Sequence, residues 1–435
     1  MRDWTAGLAL GVSVMAIGCS GPTYQEEFDA GNFESADAMV DEEIDGDGRV
    51  EDNEPLYVMD KAMVALAQGE PLDAVSLMLP IRPTLDERYI DTLLDWLDPS
   101  PKRLANPSGL GDFVGADYEQ LVVYGMIAMC EFLGHGTDRD VTPHTFALDQ
   151  KQKRMLDGDE ELGDNDPRKN YNRLALGQYL EGIMHEARLD WDGAKKSFET
   201  AASFDPGSAL LKQAAAGQRL EGDSGALYVI YMGGRGPRLG SRNIDPAAEV
   251  AVRGLLALIQ AATTNGAIKA ISIDQALQGT VPVPMVAVQT SAVAPLNVTT
   301  SGLSARTQVL LDVNDVAKQQ VAANRAMRIA QTVLLRAVRQ AGGNQTDNLL
   351  LRRTLNLGVS LAESADTRCW ETLPAEFQAV RLELPAGTQT VQLGPDMSAE
   401  VVVRTGASSL VLVWDRPDWD EGVVIVDKGS RPSGG

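Results

Sequence analysis

The sequence predicts an α+β fold, in which an N-terminal superhelix of paired helices precedes a mixed α/β region and a small antiparallel β-sheet. Up to about residue 220, apolar residues recur at the spacings of short amphipathic helices. Strand and helix patterns alternate from residue 224, and from residue 373 only strand-like segments follow, separated by turns that contain glycine or proline. With 435 residues, 44% of them hydrophobic, the chain is long enough for two or three domains.

The clearest helical unit occupies residues 175–208. Its packing positions, at successive spacings of 12, 4, 3 and 5, are Gly182, Ala194, Phe198, Ala201 and Pro206. The order small, small, large, small, proline is the pattern of the tetratricopeptide repeat. The first two small residues let a pair of helices approach closely, the phenylalanine fills the space between them, and the proline ends the second helix. Because Gln178 replaces the bulky residue usual near the repeat's start, the pattern predicts the helical hairpin rather than the full repeat.

Two earlier segments resemble degenerate versions of this hairpin. Gly31 with Ala36, and Gly69 with Ala74, match its turn and packing positions. Further helices are predicted near 117–133 and 145–156. Stacked hairpins of this kind form a concave surface that holds peptides or partner proteins.

The N-terminus resembles a bacterial lipoprotein signal. Residues 6–18 form an apolar run that is too short to span a bilayer and has the length of a signal-peptide core. Small residues precede Cys19, which predicts cleavage before this cysteine and attachment of lipid to it, although Ala16 replaces the usual leucine. Several acyl chains would hold the protein firmly to a membrane. Ser20 follows the cysteine, and this resemblance implies the periplasmic side of the outer membrane. The alternatives are an ordinary secreted signal and a plain membrane anchor.

The net charge of −23 makes nucleic acid an improbable partner, because no broad basic surface is expected to neutralise phosphates. Acidic residues are concentrated between 26 and 54, where thirteen Asp or Glu accompany only Arg49. This run indicates either a solvated tether or a surface for a cationic partner.

Part of the acidic run matches a calcium-binding loop. Its predicted ligands, at loop positions 1, 3, 5 and 12, are Glu43, Asp45, Asp47 and Glu54. Gly48 takes the turn position, whereas Glu43 is longer than the aspartate that position 1 prefers. Calcium here would be a structural staple, a plain acidic loop is the alternative, and no other cofactor is expected.

A long helix at 312–341 carries a basic stripe in an otherwise acidic protein. Four of its arginines fall within about 60° of one another at 100° per residue, and these are Arg325, Arg328, Arg336 and Arg339. They are candidates for binding an acidic partner or the chain's own acidic arm, and a solvated helix face is the alternative.

The strand at 224–232 is followed by a glycine-rich loop. The loop lacks the third glycine of a dinucleotide-binding loop, since Leu239 occupies that place, and it lacks a Walker lysine. It is therefore predicted to be mobile or to face a partner through Arg235, Arg238 and Arg242.

The sequence predicts no enzyme. His135, His144 and His185 lie in or beside the helical half, and none belongs to a recognisable hydrolase or metalloprotease motif. Cys130 lies among apolar residues and predicts a core position, and a bridge from it to Cys369 is an open alternative in an oxidising compartment.

Four sequence blocks resemble an uncharacterised family of bacterial lipoproteins with a tetratricopeptide-like N-terminal half. The blocks lie at 179–206, 225–238, 312–337 and 365–387, and the last contains Asp366, Arg368, Trp370 and Pro374 in an AD-R-W-TLP pattern. The residues themselves predict that Asp366 and Arg368 form a structural ion pair and that Trp370 is in the core. The resemblance implies an accessory lipoprotein facing the periplasm, often encoded near lipoproteins that resemble penicillin-binding-protein activators, and hence a role in envelope or peptidoglycan assembly.

The predicted domains are a lipoprotein signal peptide (1–18), an acidic tether with the first hairpin (19–56), a tetratricopeptide-like helical domain (57–222), an α/β region containing the long helix (223–372), a C-terminal β-sheet (373–428) and a disordered tail (429–435). The functional hypothesis is a lipid-anchored scaffold for protein–protein interactions in the cell envelope, with an activator-like lipoprotein as one candidate partner. One alternative is a structural subunit of an oligomeric outer-membrane complex, including a homo-oligomer. The other is a calcium- or ligand-binding protein.

Overall fold

A computed structural model describes residues 22–45, 54–88, 113–158, 166–217, 219–243, 249–257 without 251 and 255, 282–287, 292–300, 302–344 and 366–431. The predicted signal peptide, Cys19 and Asp47 lie outside the described residues, as do the last four residues of the predicted tail.

Helices fill the first half of the described chain, as the sequence predicts. The helices are α1 (Tyr24–Asp29), α2 (Phe33–Asp45), α3 (Glu54–Ala67), α4 (Pro71–Arg88), α5 (Asp117–His135), α6 (Thr142–Asp157), α7 (Leu176–Ala187), α8 (Trp191–Phe204), α9 (Ala209–Ala215) and α10 (Val313–Asn344). None of these described helices is both long and apolar enough to cross a membrane.

The described strands of the second half form three sheets. The strands are β1 (Ser224–Gly233), β2 (Arg238–Asn243), β3 (Pro282–Ala287), β4 (Asn297–Thr300), β5 (Leu303–Arg306), β6 (Gln308–Asp312), β7 (Glu376–Pro385), β8 (Gly387–Leu393), β9 (Met397–Val403), β10 (Ser408–Asp415) and β11 (Val423–Val426). Their orders are β11-β10-β1-β7-β6, β5-β4-β8-β9 and β2-β3. The predicted α+β class is confirmed.

The five-stranded sheet is the middle of three layers. Tyr228 and Ile230 of β1 pack against the helices, whereas Leu227 and Val229 pack against the four-stranded sheet. A strand buried on both faces reads as a continuous apolar run, which is how the sequence of β1 reads. The helix-side core runs from Phe28 to residues of the last strands, so the predicted boundary at 222 marks a change of secondary structure rather than a break in the core.

The C-terminal strands differ from the prediction of one small antiparallel sheet. β7, β10 and β11 join β1, with β10 parallel to it, whereas β8 and β9 join β4 and β5. Alternating apolar residues indicate which face of a strand is buried, but they do not identify the neighbouring strand. The structure therefore divides these strands between two sheets that pack face to face.

The hairpin of α7 and α8 has the packing that the sequence predicts. A Cβ atom at Gly182 would lie 2.4 Å from the Phe198 ring, so only glycine permits this approach. Ala194 and Ala201 are buried at the same interface, and Pro206 follows the end of α8. The ring of Phe198 also packs on Tyr179, with centroids 5.4 Å apart.

The turns of the three hairpins share a left-handed residue. It is Gly31 between α1 and α2 (φ 80°), Gly69 between α3 and α4 (φ 83°) and Leu189 between α7 and α8 (φ 63°). A leucine is strained there by about 1 kcal/mol relative to glycine. The turn nevertheless forms, because the Asp190 N–H donates to the His185 carbonyl at 2.9 Å and closes the helix end.

Helix α1 is held against the C-terminal strands by a buried ion pair. Arg416 donates from Nη1 to Asp29 at 2.5 Å, and its side chain is fully buried. Its Nη2 donates to the carbonyl oxygens of Thr372 and Leu373 at 2.5 and 2.9 Å. Burial lowers the pKa of Arg416 to about 10, with the nearby carboxylate opposing this shift. The guanidinium therefore remains charged at neutral pH and fixes α1 to the end of β10.

The glycine-rich loop after β1 also binds Asp29. Arg238 donates to this carboxylate at 2.6 Å, and Arg235 lies 3.3 Å from it. A Cβ atom at Gly236 would lie 2.4 Å from the Leu373 carbonyl oxygen, so glycine is needed for the loop to approach. The prediction of a mobile or partner-facing loop is wrong for these two arginines, because they balance a nearly buried charge inside the molecule.

Two buried carboxyl groups secure the segment before β7. Asp60 of α3 accepts from Tyr24 Oη at 2.7 Å and from Thr372 Oγ1 at 2.6 Å. Glu119 of α5 accepts from the Trp370 N–H at 2.7 Å. Burial raises the pKa of each carboxyl to about 7, although these hydrogen bonds oppose the shift.

The hairpin packing predicts that Gly182→Ala destabilises the protein by about 1–3 kcal/mol, because the added methyl group clashes with the Phe198 ring. In a Phe198→Leu background the same change is expected to cost less, since the shorter side chain makes room. Urea unfolding of the wild type, both single variants and the double variant measures this coupling. Strict additivity, within about 0.5 kcal/mol, would contradict the proposed contact.

The buried carboxyl groups predict that stability falls as pH rises from about 4 to 7. Their folded pKa values exceed the unfolded ones, so in this range the folded protein retains protons that the unfolded chain releases. Asp60→Asn is expected to reduce this fall in the free energy of unfolding by on the order of 3 kcal/mol. Urea unfolding at pH 5 and pH 7.5 measures it, with the exposed Asp73→Asn as the control. An equal fall in both variants would show that Asp60 does not titrate as described.

Candidate functional site

A cavity of about 930 Å³ lies between the α7–α8 hairpin, α9 and the edge of the five-stranded sheet. Its helical wall includes Ala194 and Phe198 of α8 and Leu210 of α9. Its opposite wall comes from β1, β5, β6 and β7. Pockets of roughly 300–1,000 Å³ are typical of ligand sites, and this one has the concave position expected between a helical array and its neighbour.

The floor of the cavity is a buried polar network centred on Glu186. Tyr228 Oη donates to Glu186 Oε2 at 2.6 Å, and Arg381 donates to Oε1 from Nη2 and Nε at 2.8 and 3.2 Å. Ser408 Oγ donates to the same Oε1 atom at 3.3 Å. Burial and the charge of Glu186 raise the pKa of the Tyr228 hydroxyl, which therefore stays protonated as a donor. These bonds fix the hairpin to the sheet and give the cavity a preformed base.

The charged side chains that line the cavity are balanced in sign. Four are acidic and four are basic, and these are Glu186, Asp192, Glu221 and Glu383, with Lys195, Arg219, Arg306 and Arg381. A balanced lining gives no strong preference for an acidic or a basic ligand. Discrimination by net charge is therefore not the main property of this site.

Strand β7 contributes a partly covered edge to the cavity. It pairs with β1 along its whole length, whereas β6 pairs with it only as far as Ala379. The Ala386 N–H donates to the Asp223 carbonyl at 2.9 Å, so main-chain groups of even-numbered β7 residues point toward β1. The main-chain N–H and C=O groups of Glu383 consequently point away from β1. Pairing of β6 with β7 thus ends at Ala379, and the cavity begins beside this point.

The predicted packing residues and the family-motif residues lie in different places. Ala194 and Phe198 line the cavity, whereas the motif residues do not. Asp366 and Arg368 form an ion pair at 2.8 Å, and Trp370 is fully buried, as predicted. Pro374, two residues before β7, is also buried. The motif is therefore a structural connection between α5 and the sheet.

The arginine stripe of α10 partly faces the chain itself. Arg325 and Arg328 are half-buried, and the side chains of Arg336 and Arg339 lie outside the described side chains. Burial raises the pKa of Asp366, but the pairing with Arg368 and the charge of Arg328 outweigh it and lower the pKa overall. Part of the stripe thus stabilises a carboxylate of its own chain.

The predicted calcium ligands are only partly described. Glu43 and Asp45 lie on the last turn of α2, and Glu54 begins α3. Among the described residues no group of three or more His, Cys, Asp or Glu side chains is placed to hold a metal ion. The central residue Asp47 lies outside the described residues, so the loop stays a prediction.

Several side chains with nucleophilic or basic character are engaged in internal contacts. His185 Nδ1 lies 2.8 Å from Asp190, and Ser197 Oγ donates to Glu181 at 3.3 Å rather than to an imidazole. A nucleophilic hydroxyl needs a neighbouring base, such as the imidazole of a catalytic triad. The contact of Ser197 with Glu181 does not have that arrangement. Cys130 and Cys369 are both buried free thiols, so the open alternative of a bridge between them is not realised.

No protein-family model, curated protein or solved structure matches this chain. The site is therefore interpreted from its own geometry, and membership of the lipoprotein family stays a prediction.

Sequence reasoning missed Glu186 and Arg381 as site residues. They lie 195 positions apart, so no local spacing connects them. The available signal was weak: a glutamate on the apolar side of α7 and an arginine within an alternating strand. Burying either charged side chain alone would cost free energy, so two charged residues in apolar surroundings are expected to pair.

The network predicts that Glu186→Gln destabilises the protein by about 3 kcal/mol, because it leaves the Arg381 charge poorly compensated. Arg381→Met is expected to cost a similar amount by stranding the carboxylate. The double variant should be more stable than the sum of the two losses implies. Urea unfolding of the four proteins gives the coupling energy, and a value near zero would mean that the pair does not hold the cavity floor.

Proposed function

We propose that this protein is a lipid-anchored scaffold on the periplasmic side of the outer membrane, and that its cavity binds a segment of a partner protein in envelope assembly. The observation that carries the proposal is the cavity of about 930 Å³ between the hairpin and the sheet. Concave surfaces of helical repeats are used to hold peptides and partner proteins.

Two features of the cavity support binding of a protein segment. Its floor is fixed by the buried Glu186–Arg381 pair, so little ordering is needed when a partner arrives. Its walls combine apolar side chains, such as Phe198 and Leu210, with charges of both signs. Such a mixture suits a polypeptide, which presents apolar side chains and neutral main-chain dipoles together.

The start of the fold supports the anchored arrangement. With lipid on Cys19, only residues 20–23 would separate the anchor from α1, which begins at Tyr24. Five residue steps span at most about 17 Å. Because α1 is clamped by Asp29 and Arg416, the folded body would lie close to the membrane. The resemblance to envelope lipoproteins gives the proposal its pathway, including an activator-like lipoprotein as a candidate partner.

The proposal predicts partner crosslinking from Lys195 but not from Lys196. Both lysines are exposed on α8, and only Lys195 lines the cavity. A photoreactive residue is placed at each position in living cells of a Gram-negative host that carries the partner's genes, and adducts are identified by mass spectrometry. We expect a partner adduct at Lys195 that weakens when Cys19→Ala removes the anchor.

Two other outcomes would redirect the interpretation. Equal adducts from both lysines would show that the cavity is not the binding site. Adducts formed mainly with a second copy of the chain would favour the alternative of a subunit in an oligomeric complex.

A further inference from the structure

We propose that Leu189, the exposed residue of the α7–α8 turn, is a recognition residue that binds an apolar side chain of the partner segment at the mouth of the cavity. This inference rests on the proposed function of the cavity and adds a residue that selects the partner. The ligand is a polypeptide segment that carries a large apolar side chain just outside the part that enters the cavity.

The first argument is the backbone conformation of Leu189. In the described part of the chain it is the one residue other than glycine with a left-handed conformation, at φ 63°. The corresponding turn residues of the other two hairpins are Gly31 and Gly69, and glycine adopts this conformation without strain. A residue with a side chain is unfavourable there, and unfavourable conformations that persist are concentrated at functional sites. The outlier therefore indicates a role for the leucine side chain.

The second argument is the exposure of this side chain. Leu189 is 58% exposed, so the fold gains little apolar burial in return for the unfavourable backbone. Its neighbour across the turn is Gly406, where an added Cβ atom would lie 3.5 Å from Leu189 Cδ2. Because this neighbour has no side chain, it adds little cover. A partner that covers the exposed surface would gain the apolar burial that folding leaves unused.

The third argument is that polar contacts on both sides of the turn hold Leu189 in place. Arg188 pairs with Asp140 at 3.1 Å, and Asp190 Oδ2 lies 2.8 Å from His185 Nδ1. The charged residues that flank the leucine are thus engaged within the chain. They leave an apolar side chain at the centre of a fixed turn, and a fixed turn loses little conformational entropy when a ligand binds to it.

The turn lies at the mouth of the cavity. Trp191, two residues after Leu189, lines the cavity and is partly buried. Across the turn, the Gly406 N–H donates to the Ser224 carbonyl oxygen at 2.8 Å. Ser224 Oγ in turn donates to Glu383, which lines the opposite wall of the cavity. A segment that leaves the cavity at this end would therefore pass over the exposed leucine.

The position of the turn favours a polypeptide rather than the anchoring bilayer as the occupant. β10 (Ser408–Asp415) is about 27 Å long at 3.4 Å per residue. Arg416, just after its end, clamps α1, the helix that follows the predicted lipid anchor. Gly406, the neighbour of Leu189, lies just before its start. The length of β10 thus separates the exposed leucine from the helix beside the anchor.

The first test separates a binding role from a structural one. Leu189→Gly removes the side chain and relieves the unfavourable backbone together, and Leu189→Asn does the same, because asparagine tolerates the left-handed conformation. We expect the urea midpoint of both variants to equal or exceed that of the wild type. A lower midpoint in both variants would show that the fold itself needs the leucine side chain, and would overturn the inference.

The second test measures binding by the same variants. Random 12-residue peptides displayed on phage are selected on the wild-type protein, and the affinity of the best peptide is measured for each variant. We expect about a tenfold loss for Leu189→Gly and Leu189→Asn, because the apolar contact is lost, and a change within about twofold for Leu189→Met. Phe146→Ala is the matched control, since Phe146 is 62% exposed and does not line the cavity. Its affinity is expected to equal that of the wild type.

An alanine scan of the peptide identifies the side chain that Leu189 contacts. One large apolar residue of the peptide is expected to cost about tenfold when changed to alanine with the wild-type protein, and less than threefold with Leu189→Gly. Equal losses with both proteins at every peptide position would show that no peptide side chain depends on the leucine, and would contradict the inference.

The outcomes separate this inference from the proposed function. If Leu189→Gly binds the peptide as tightly as the wild type, the inference is wrong, while crosslinking from Lys195 can still establish the cavity as a binding site. If no peptide is selected although Lys195 crosslinks to a partner in cells, the adduct is measured again in the Leu189→Gly background. A severalfold smaller yield supports the recognition residue, and an unchanged yield overturns it. If peptides and crosslinks are both absent, both proposals fail.

Discussion

The architecture depends on the burial of β1 on both faces. Its side chains alternate between the helical layer and the four-stranded sheet, so this one strand belongs to two cores. It also lies between β7 and β10, which makes it the centre of the sheet laterally. From Gly225 to Gly233 this strand is buried, which fits its largely apolar sequence. The helices and the terminal strands are arranged around it.

Buried ion pairs connect parts of the chain that are far apart in sequence. Asp29 with Arg416 joins α1 to the end of β10, and Glu186 with Arg381 joins the hairpin to β7. Such pairs cost desolvation energy, and their net contribution to stability is small when the geometry is good. Removing one partner of such a pair destabilises a protein much more than removing both. In this structure the two pairs connect particular helices to particular strands, and the Glu186–Arg381 pair forms the floor of the cavity.

The cavity combines these two features. The hairpin supplies a small-residue interface that brings Phe198 and Tyr179 close together, and Tyr179 packs edge-on against Tyr228 of β1. The sheet supplies an edge on which β6 pairing stops early. Neither half forms the cavity alone. A cavity at the junction of two halves depends on their relative position, so the floor residues that join the halves also determine its shape.

Local patterns predicted the elements well. The helices near 117–133 and 312–341, the strand from 224 and the close packing of Gly182 on Phe198 all appear in the structure, because apolar periodicity and steric size act over a few neighbouring residues. The glycine-rich loop was misread because Asp29, the charge that holds its arginines, is about 200 residues away. The division of the terminal strands was missed for the same reason, since alternation shows a buried face and not a partner.

The sequence by itself thus determined which segments are helices or strands and which of their faces are apolar. Only the tertiary structure decided which strands are neighbours, which charges meet and where the pairing of β6 with β7 ends. The physical reason is that hydrogen bonds between strands and ion pairs between distant residues depend on the path of the whole chain. That path is selected by the burial of all the layers together rather than by any one segment.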